Sequence, residues 1–172
     1  MSSSSDQQLR QWFDSIDTDK SGHLSAKELQ RALALGNLEF TITDVDAMVR
    51  AFDTNGTRTL AFDEFQRLHN FLVNVQQSFH TFDKDRSGRL STDEVNSALK
   101  QAGFALDAPA VAAMIEKFDP DNSKNLALDE YIRSCLFLQT AARSFAAFDP
   151  NKTGNVTLSF SQLCYVCSHI SC

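Results

Sequence analysis

The sequence lacks the segments that would mark a membrane-spanning, secreted or lipid-anchored protein. No apolar run approaches the roughly 18 residues that a transmembrane helix requires. The first five residues contain no apolar stretch typical of a signal peptide, and Ser2 stands where N-myristoylation requires Gly. We therefore expect a cytoplasmic protein with no transmembrane segment.

The sequence also lacks an excess of basic residues and the residue spacings of redox, zinc or catalytic sites. The net charge is −6, which disfavours nucleic acids and anionic membranes as electrostatic partners. One cysteine pair, Cys164 and Cys167, fits a CxxC pattern, but it lies on a predicted C-terminal helix, so we expect no redox or zinc role. The cysteines and the four histidines show no spacing typical of a nucleophile and its base. We therefore do not expect an enzyme.

What the chain does contain is a twelve-residue segment, 83–94, with the oxygen pattern of a calcium loop. Calcium binds six to eight oxygens, and the EF-hand loop supplies them from positions 1, 3, 5, 7, 9 and 12. Gly88 at position 6 allows the sharp turn that such a loop needs. The segment has an oxygen side chain at position 9, Ser91, and the expected calcium ligands are Asp83, Asp85, Ser87, Arg89 through its carbonyl, and Glu94.

This pattern recurs five times along the chain. The five loops span residues 17–28, 53–64, 83–94, 119–130 and 149–160, so their starts are separated by 36, 30, 36 and 30 residues. Each loop has an apolar residue at position 8 and another immediately before position 1. Regular repetition of this kind predicts a fold built from five EF-hand units.

The five loops differ in their predicted ability to bind calcium. Loop one is as complete as loop three, with expected ligands Asp17, Asp19, Ser21, His23 through its carbonyl, and Glu28. Loops two and four are weaker candidates because Arg58 and Lys124 replace Gly and because Ala stands at position 9 of each loop. Their candidate ligands are Asp53, Asn55, Thr57, Thr59 and Glu64 in loop two, and Asp119, Asp121, Ser123, Asn125 and Glu130 in loop four. In loop five, Phe160 replaces the bidentate Glu, so tight calcium binding is not expected.

Apolar periodicity and helix breakers predict an all-α fold of eight helices, with short β pairings between loops one and two and between loops three and four. Residues 1–8 are expected to form a short, polar, disordered tail, and 9–172 a single domain. The first helix is predicted to begin at Gln7, and Thr43 is a candidate N-cap of the third. Residues 65–82 and 131–148 contain neither Gly nor Pro, so each is predicted to be one unbroken helix. A short helix, 161–168, is predicted to follow loop five, whose strand has no partner within the chain.

Five EF-hands with this alternating spacing resemble the penta-EF-hand family over residues 9–170. Segment 129–139, DEYIRSCLFLQ, is similar to the apoptosis-linked subgroup, the relatives of programmed cell death protein 6. The resemblance implies calcium at loops one and three, dimerisation through the fifth hand and calcium-dependent binding of Pro-rich peptide segments. Ala105 stands where that subgroup has an Arg thought to act as a calcium-driven switch.

The expected function is that of a calcium sensor and adaptor that changes conformation on binding Ca²⁺ and then engages partner proteins. Calcium-dependent recruitment to membranes is compatible with this function. The sequence leaves two alternatives open: a calcium buffer, or a regulatory subunit of a calpain-like protease. A homodimer or a heterodimer would satisfy the fifth hand equally well. Because methionine is scarce, a partner groove would be built from Phe and Leu side chains and Trp12.

Overall fold

The computed structural model describes residues 3–170 and, within them, eight α-helices and two short β-strands. The strands are β1 (Arg89–Ser91) and β2 (Asn125–Ala127). Each of the two long helices, α4 (Phe62–Phe82) and α7 (Leu128–Phe148), is shared by consecutive hands, as predicted. The helices are α1 (Ser3–Ile16), α2 (Ala26–Leu35), α3 (Ile42–Phe52), α4 (Phe62–Phe82), α5 (Thr92–Gln101), α6 (Ala108–Phe118), α7 (Leu128–Phe148) and α8 (Phe160–Ile170). The all-α expectation is therefore confirmed.

The N-terminal helix is longer than predicted. Helix α1 begins at Ser3 and not at Gln7, so residues 3–8 of the expected disordered tail are helical. Asp6 lies in the first turn, where a carboxylate interacts favourably with the helix dipole, and its Oδ1 accepts a hydrogen bond from Gln66 Nε2 of α4 at 2.9 Å. This contact to a distant helix is not visible in the local sequence. Residues 1–2 of the expected tail, and Cys172 at the other end, lie outside the described residues.

The N-terminus of α3 is capped by Thr41 and not by the predicted Thr43, which lies inside the helix. Thr41 and Asp44 form a reciprocal capping box. The amide of Thr41 donates to Asp44 Oδ2 at 3.0 Å, and the amide of Asp44 donates to Thr41 Oγ1 at 3.2 Å. Asp46 stands three residues after Thr43 and could complete the same box there, so the spacing in the sequence does not distinguish the two threonines as caps.

The loops pair two by two. Strands β1 and β2 join loops three and four in antiparallel register, with Leu90 opposite Leu126. Loops one and two are joined by an isolated bridge in which the Leu24 and Leu60 amides each donate to the other's carbonyl, at 2.8 and 2.9 Å. All four leucines are fully buried, so the residue at position 8 anchors each pair of loops to the core. Within residues 3–170, no strand or bridge includes segment 155–157 of loop five.

A single cluster of buried apolar side chains runs from Leu9 to Leu138 and packs the first four hands together. Helices α4 and α7 contribute to its centre, where the hydroxyls of Ser78 and Tyr131 lie 3.1 Å apart. The fifth hand lies outside this cluster. Helix α8 carries exposed apolar side chains, and Phe160 is 80% exposed.

Candidate metal centres

All five loops share the same backbone turn. In every loop the residues at positions four and six have left-handed φ angles, between 54° and 78°: Lys20 and Gly22, Gly56 and Arg58, Arg86 and Gly88, Asn122 and Lys124, and Lys152 and Gly154. Side chains at such angles cost about 1 kcal/mol relative to Gly. Loops two and four therefore form the EF-hand turn despite their departures at position six, and Arg58 and Lys124 carry this conformational cost.

In loop one this turn directs backbone amides at the first carboxylate. Asp17 Oδ1 accepts from the Ser21 amide at 3.0 Å, and Oδ2 accepts from the Gly22 amide at 2.7 Å. Asp19 Oδ1 also accepts from the Ser21 amide at 3.0 Å, and Ser21 Oγ donates to the His23 carbonyl at 2.9 Å. The predicted ligands of loop one thus surround one small region of space.

The carboxylate of Glu28 closes this loop from the far end. Glu28 is the third residue of α2 and forms a capping box with Ser25, which donates to Oε2 from its amide at 3.0 Å and from its hydroxyl at 2.7 Å. Thr18 donates to Oε1 from its amide and its hydroxyl, both at 2.9 Å. Burial acts to raise the pKa of Glu28, but these four hydrogen bonds outweigh it and lower the pKa to about 2. Glu28 is therefore ionised at neutral pH.

Loop three repeats the arrangement of loop one. Asp83 accepts from the Ser87 and Gly88 amides at 2.9 and 3.0 Å, and Asp85 Oδ1 accepts from the Ser87 amide at 3.0 Å. Glu94 accepts from the amide and hydroxyl of Ser91 at 2.9 and 2.8 Å. The two hydrogen bonds from Ser91 are the main cause of the lowered pKa of Glu94. A hydrogen bond from the Lys84 amide lowers this pKa further. Loop three is more exposed than loop one.

Loop two keeps the hydrogen bonds of the turn but has only two carboxylates at calcium-ligand positions. Asp53 Oδ2 accepts from the Arg58 amide at 2.8 Å, and Glu64 Oε1 accepts from the Thr54 amide at 2.8 Å. Asn55 occupies position three as a neutral oxygen donor, and Ala61 provides no side-chain oxygen at position nine. This loop therefore offers less negative charge than loops one, three and four.

Loop four brings three carboxylates together. Asp119 is buried and accepts from the Ser123 and Lys124 amides at 3.0 and 2.7 Å. Asp121 accepts from the Ser123 amide at 3.0 Å. Glu130 is buried and accepts a backbone hydrogen bond from the Ala127 amide at 2.7 Å. Position two of this loop is Pro120, which has no amide hydrogen to donate, so Glu130 lacks the partners that Glu28 has.

The environment of Glu130 is correspondingly different from that of Glu28. Burial raises its pKa, and the negative charges of Asp129 and Asp121 add to this effect against the Ala127 hydrogen bond. The guanidinium of Arg89, from loop three, approaches the same carboxylate, with Nη1 3.9 Å from Glu130 Oε2. Arg89 also donates to Asp121 Oδ2 and to Ser123 Oγ, both at 2.8 Å.

The oxygen sets of loops one and four fit a calcium ion by size and chemistry. Two groups of three carboxylates occur among the described residues, one in each of these loops, and within each group one oxygen per residue lies within 4.8 Å of the others. Calcium–oxygen bonds of 2.3–2.6 Å place opposed ligands about 5 Å apart, so this spacing is that of a calcium cage. The members are Asp17, Asp19 and Glu28, and Asp119, Asp121 and Glu130.

Comparisons with known proteins agree with this geometry. The EF-hand domain pair family matches residues 6–68 and 73–136. Sorcin of Schistosoma japonicum is 36% identical over 155 residues, which cover 90% of this chain and 90% of that protein. The chain belongs to the penta-EF-hand family of calcium-binding proteins.

Two further relatives extend the comparison. Peflin of Danio rerio is 33% identical over 152 residues, which cover 87% of this chain and 56% of that protein. The chain spans about half the length of the peflins it matches. The solved structure of a homolog of programmed cell death 6 protein from Leishmania major superposes with a TM-score of 0.73 at 31% identity, covering 96% of this chain and 95% of that one. The family expected from the sequence is therefore confirmed.

The relatives of this penta-EF-hand chain and its buried cysteine bear on the expectation that it is not an enzyme. The related proteins are non-enzymatic, in agreement with the expectation from the sequence. Burial raises the pKa of Cys135 to about 11, so that this thiol is protonated at neutral pH. No helix among residues 3–170 combines the length and apolar character needed to cross a membrane.

Sequence reasoning missed two features of the loops. It assigned Arg89 only a backbone carbonyl, whereas its side chain contacts the ligand set of loop four. It also gave no role to the position-two residues Thr18 and Thr54, whose amides and hydroxyls hold the glutamate at position twelve. The antiparallel pairing of loops three and four was the available signal for Arg89, since it sets position seven of one loop opposite position nine of the other.

Proposed function

We propose that this protein is a calcium sensor and adaptor with principal calcium sites in loops one and three. The observation that carries the proposal is the convergence of the three loop-one carboxylates within 4.8 Å. Loop three has the same hydrogen-bonded turn and a complete set of ligand types. The proposed ligands are Asp17, Asp19, Ser21, His23 and Glu28 in loop one, and Asp83, Asp85, Ser87, Arg89 and Glu94 in loop three.

The sensor role rests on the way loop one is attached to α2. The clustered carboxylates of loop one attract a divalent cation, and calcium would supply that charge. Glu28 belongs to the first turn of α2, so any movement of its carboxylate toward Asp17 is passed directly to that helix. A change in the angle between entering and exiting helices is the response that distinguishes EF-hand sensors from buffers.

Helix α2 forms one wall of an apolar groove. The groove has a volume of about 380 Å³ and is also lined by residues of α1 and α4. Trp12 and Leu35 lie at its surface, and Leu35 is 86% exposed. Extended proline-rich segments bind aromatic-lined grooves, so we assign the adaptor function to this surface with a Pro-rich peptide as its partner.

The only tryptophan of the chain, Trp12, makes this proposal directly measurable. We expect a calcium titration to shift Trp12 emission, because α2 packs near this side chain at the groove. Glu28→Gln should abolish the shift that arises from loop one, whereas Glu94→Gln should preserve most of it. An emission spectrum that stays constant through calcium saturation would favour the buffer alternative.

Partner binding is tested with proline-rich peptides. We expect calcium-dependent binding that is lost in Leu35→Asp, which places a charge in the groove, and retained in Leu163→Asp, which alters a distant helix. Loss in both variants, or binding that is independent of calcium, would contradict the assignment of the groove. A cytoplasmic protein of net charge −6 would reach membranes through such partners and not by its own charge.

Dimerisation through the fifth hand is the second part of the proposal. Phe160, Leu163 and Tyr165 of α8 and Phe145 of α7 are exposed apolar side chains, and loop five lacks a pairing strand within residues 3–170. Association of two such hands would bury both features, and an area of about 800 Å² per chain is typical of a specific interface. A related chain could take the place of the second copy.

Sedimentation equilibrium distinguishes these possibilities. The full chain should sediment at twice 19.2 kDa at tens of micromolar, and Leu163→Asp should shift it to the monomer. The groove variant Leu35→Asp serves as the matched control and should remain dimeric. A wild-type chain that stays monomeric with and without calcium would contradict homodimerisation.

A further inference from the structure

We propose that the Arg89 side chain is a tethered cation that competes with calcium for loop four and lowers the affinity of that loop. The inference rests on the proposed calcium-binding function and extends it to a loop that the sequence ranked as weak. It assigns the weakness of loop four to a residue of loop three and not only to the substitutions within loop four.

The geometry places one guanidinium against three ligand positions of loop four. Arg89 Nη2 is 2.8 Å from Asp121 Oδ2 at position three, and Nη1 is 2.8 Å from Ser123 Oγ at position five. The same Nη1 lies 3.9 Å from Glu130 Oε2 at position twelve. A guanidinium satisfies carboxylates through a rigid fork of N–H donors, so it can serve several of these oxygens at once.

The strand register explains why Arg89 reaches this place. Arg89 of β1 lies opposite Ala127 of β2, which is position nine of loop four. In loops one and three, position nine is Ser, whose hydroxyl bonds to the glutamate at position twelve. Ala127 has no such hydroxyl, so the position opposite Arg89 is small and offers Glu130 only its backbone amide and no side-chain donor. The replacement at position nine of loop four and the cation at position seven of loop three therefore act together.

The arrangement is specific to loop four. Of the ion pairs recorded for residues 3–170, only those of Arg89 involve a carboxylate at loop position one, three or twelve. The other loop-associated pairs use carboxylates at position eleven, Asp63 and Asp129. Hydrogen bonding and charge from Asp121 raise the pKa of Arg89, as expected for a cation held by its partners.

The guanidinium of Arg89 and a calcium ion would compete because both are cations and both need the same oxygens of loop four. Asp121, Ser123 and Glu130 can direct their oxygens at a calcium ion only if the guanidinium withdraws from them. Each contact is partly exposed and individually weak, but the withdrawal breaks several contacts together. We expect removal of the guanidinium to raise the calcium affinity of loop four by about tenfold or more.

The test is calcium titration calorimetry on the full chain with Arg89→Met. Met retains an unbranched stem, and the substitution leaves the Arg89 carbonyl, the proposed ligand of loop three, in place. Arg86→Met is the matched control, because it removes one positive charge from an exposed position of the same loop and no cross-loop contact is recorded for it. Addition of Glu130→Gln to either background assigns any new binding to loop four.

The expected result is an additional or about tenfold tighter site in Arg89→Met that is absent from Arg86→Met and disappears with Glu130→Gln. Arg89→Lys, which keeps the charge but loses the fork, should give a smaller gain. An isotherm equal to the wild-type one, an equal gain in Arg86→Met, or a gain that survives Glu130→Gln would overturn the inference. If wild-type loops one and three fail to bind calcium, the proposed function fails, whereas the comparison of Arg89→Met with Arg86→Met still decides the role of Arg89.

A second readout needs no calcium. Removal of the guanidinium leaves three clustered carboxylates without their counter-cation, so Arg89→Met should unfold at a lower temperature than Arg86→Met in calcium-free buffer. Added calcium should restore more of this loss in Arg89→Met than in the control. Equal melting temperatures for the two variants in calcium-free buffer would contradict the contact itself.

Discussion

Substitution of Glu28 by Gln should destabilise the calcium-free protein. Glu28 accepts four hydrogen bonds from Thr18 and Ser25, and its side chain is 6% exposed. Gln retains one oxygen but presents an amide NH₂ group in place of the other, so two donors lose their acceptor. At about 1 kcal/mol for each unsatisfied donor, the free energy of unfolding should fall by about 2 kcal/mol. For a chain of this length, this loss corresponds to a fall of roughly 4–8 °C in Tm.

The assay is thermal unfolding in calcium-free buffer, with Glu116→Gln as the control. Glu116 is an exposed residue of α6, and its substitution should leave Tm nearly unchanged. Because folding lowers the pKa of Glu28 from 4.5 to about 2, its charged form stabilises the folded state fully above pH 4.5. This stabilisation is lost as the pH falls toward 2, so the difference between wild type and Glu28→Gln should shrink in that range. Equal destabilisation by the two variants at pH 7 would refute this reasoning.

Two further pairs of substitutions test the loop turns and their anchors. Lys124→Gly should stabilise the protein by up to about 1 kcal/mol in chemical denaturation, because Lys124 has a φ of 60°, whereas Gly88→Ala should destabilise it. A lower denaturation midpoint for Lys124→Gly would count against strain in loop four. Leu90→Ala should lower the free energy of unfolding by about 2–5 kcal/mol, because Leu90 is fully buried between the paired loops. The exposed Leu35→Ala should have little effect, and similar losses from both would contradict the assigned anchor.

The sequence predicted the repeated parts of this fold well because their signals are local. Each loop carries its own oxygen pattern, and the Gly/Pro-free segments predicted α4 and α7. Helix ends were less predictable. The start of α1 depends on Asp6 meeting Gln66, which is 60 residues away in sequence. Thr41 and Thr43 each have an Asp three residues later, so the capping-box spacing did not tell which of them caps α3.

The differences between the loops were the hardest part to predict. Replacement of Gly by Lys124 suggested that loop four is a weaker calcium candidate, yet the backbone adopts the same left-handed angle and the three carboxylates converge. The strain is small compared with the packing of Leu126 and the hydrogen bonds to Asp119, so the turn forms despite it. The contact of Arg89 with loop four depends on a strand register between distant segments, which no single-loop pattern contains.

Calcium titration calorimetry on wild type, Glu28→Ala and Glu94→Ala tests the central claim most directly. We predict two principal sites per chain with dissociation constants on the order of 10⁻⁷–10⁻⁵ M, the range of EF-hand sensors. Each variant should lose one of these two sites, because Glu28 and Glu94 supply the position-twelve carboxylates of loops one and three. A variant that retains both principal sites would contradict the assignment of its loop.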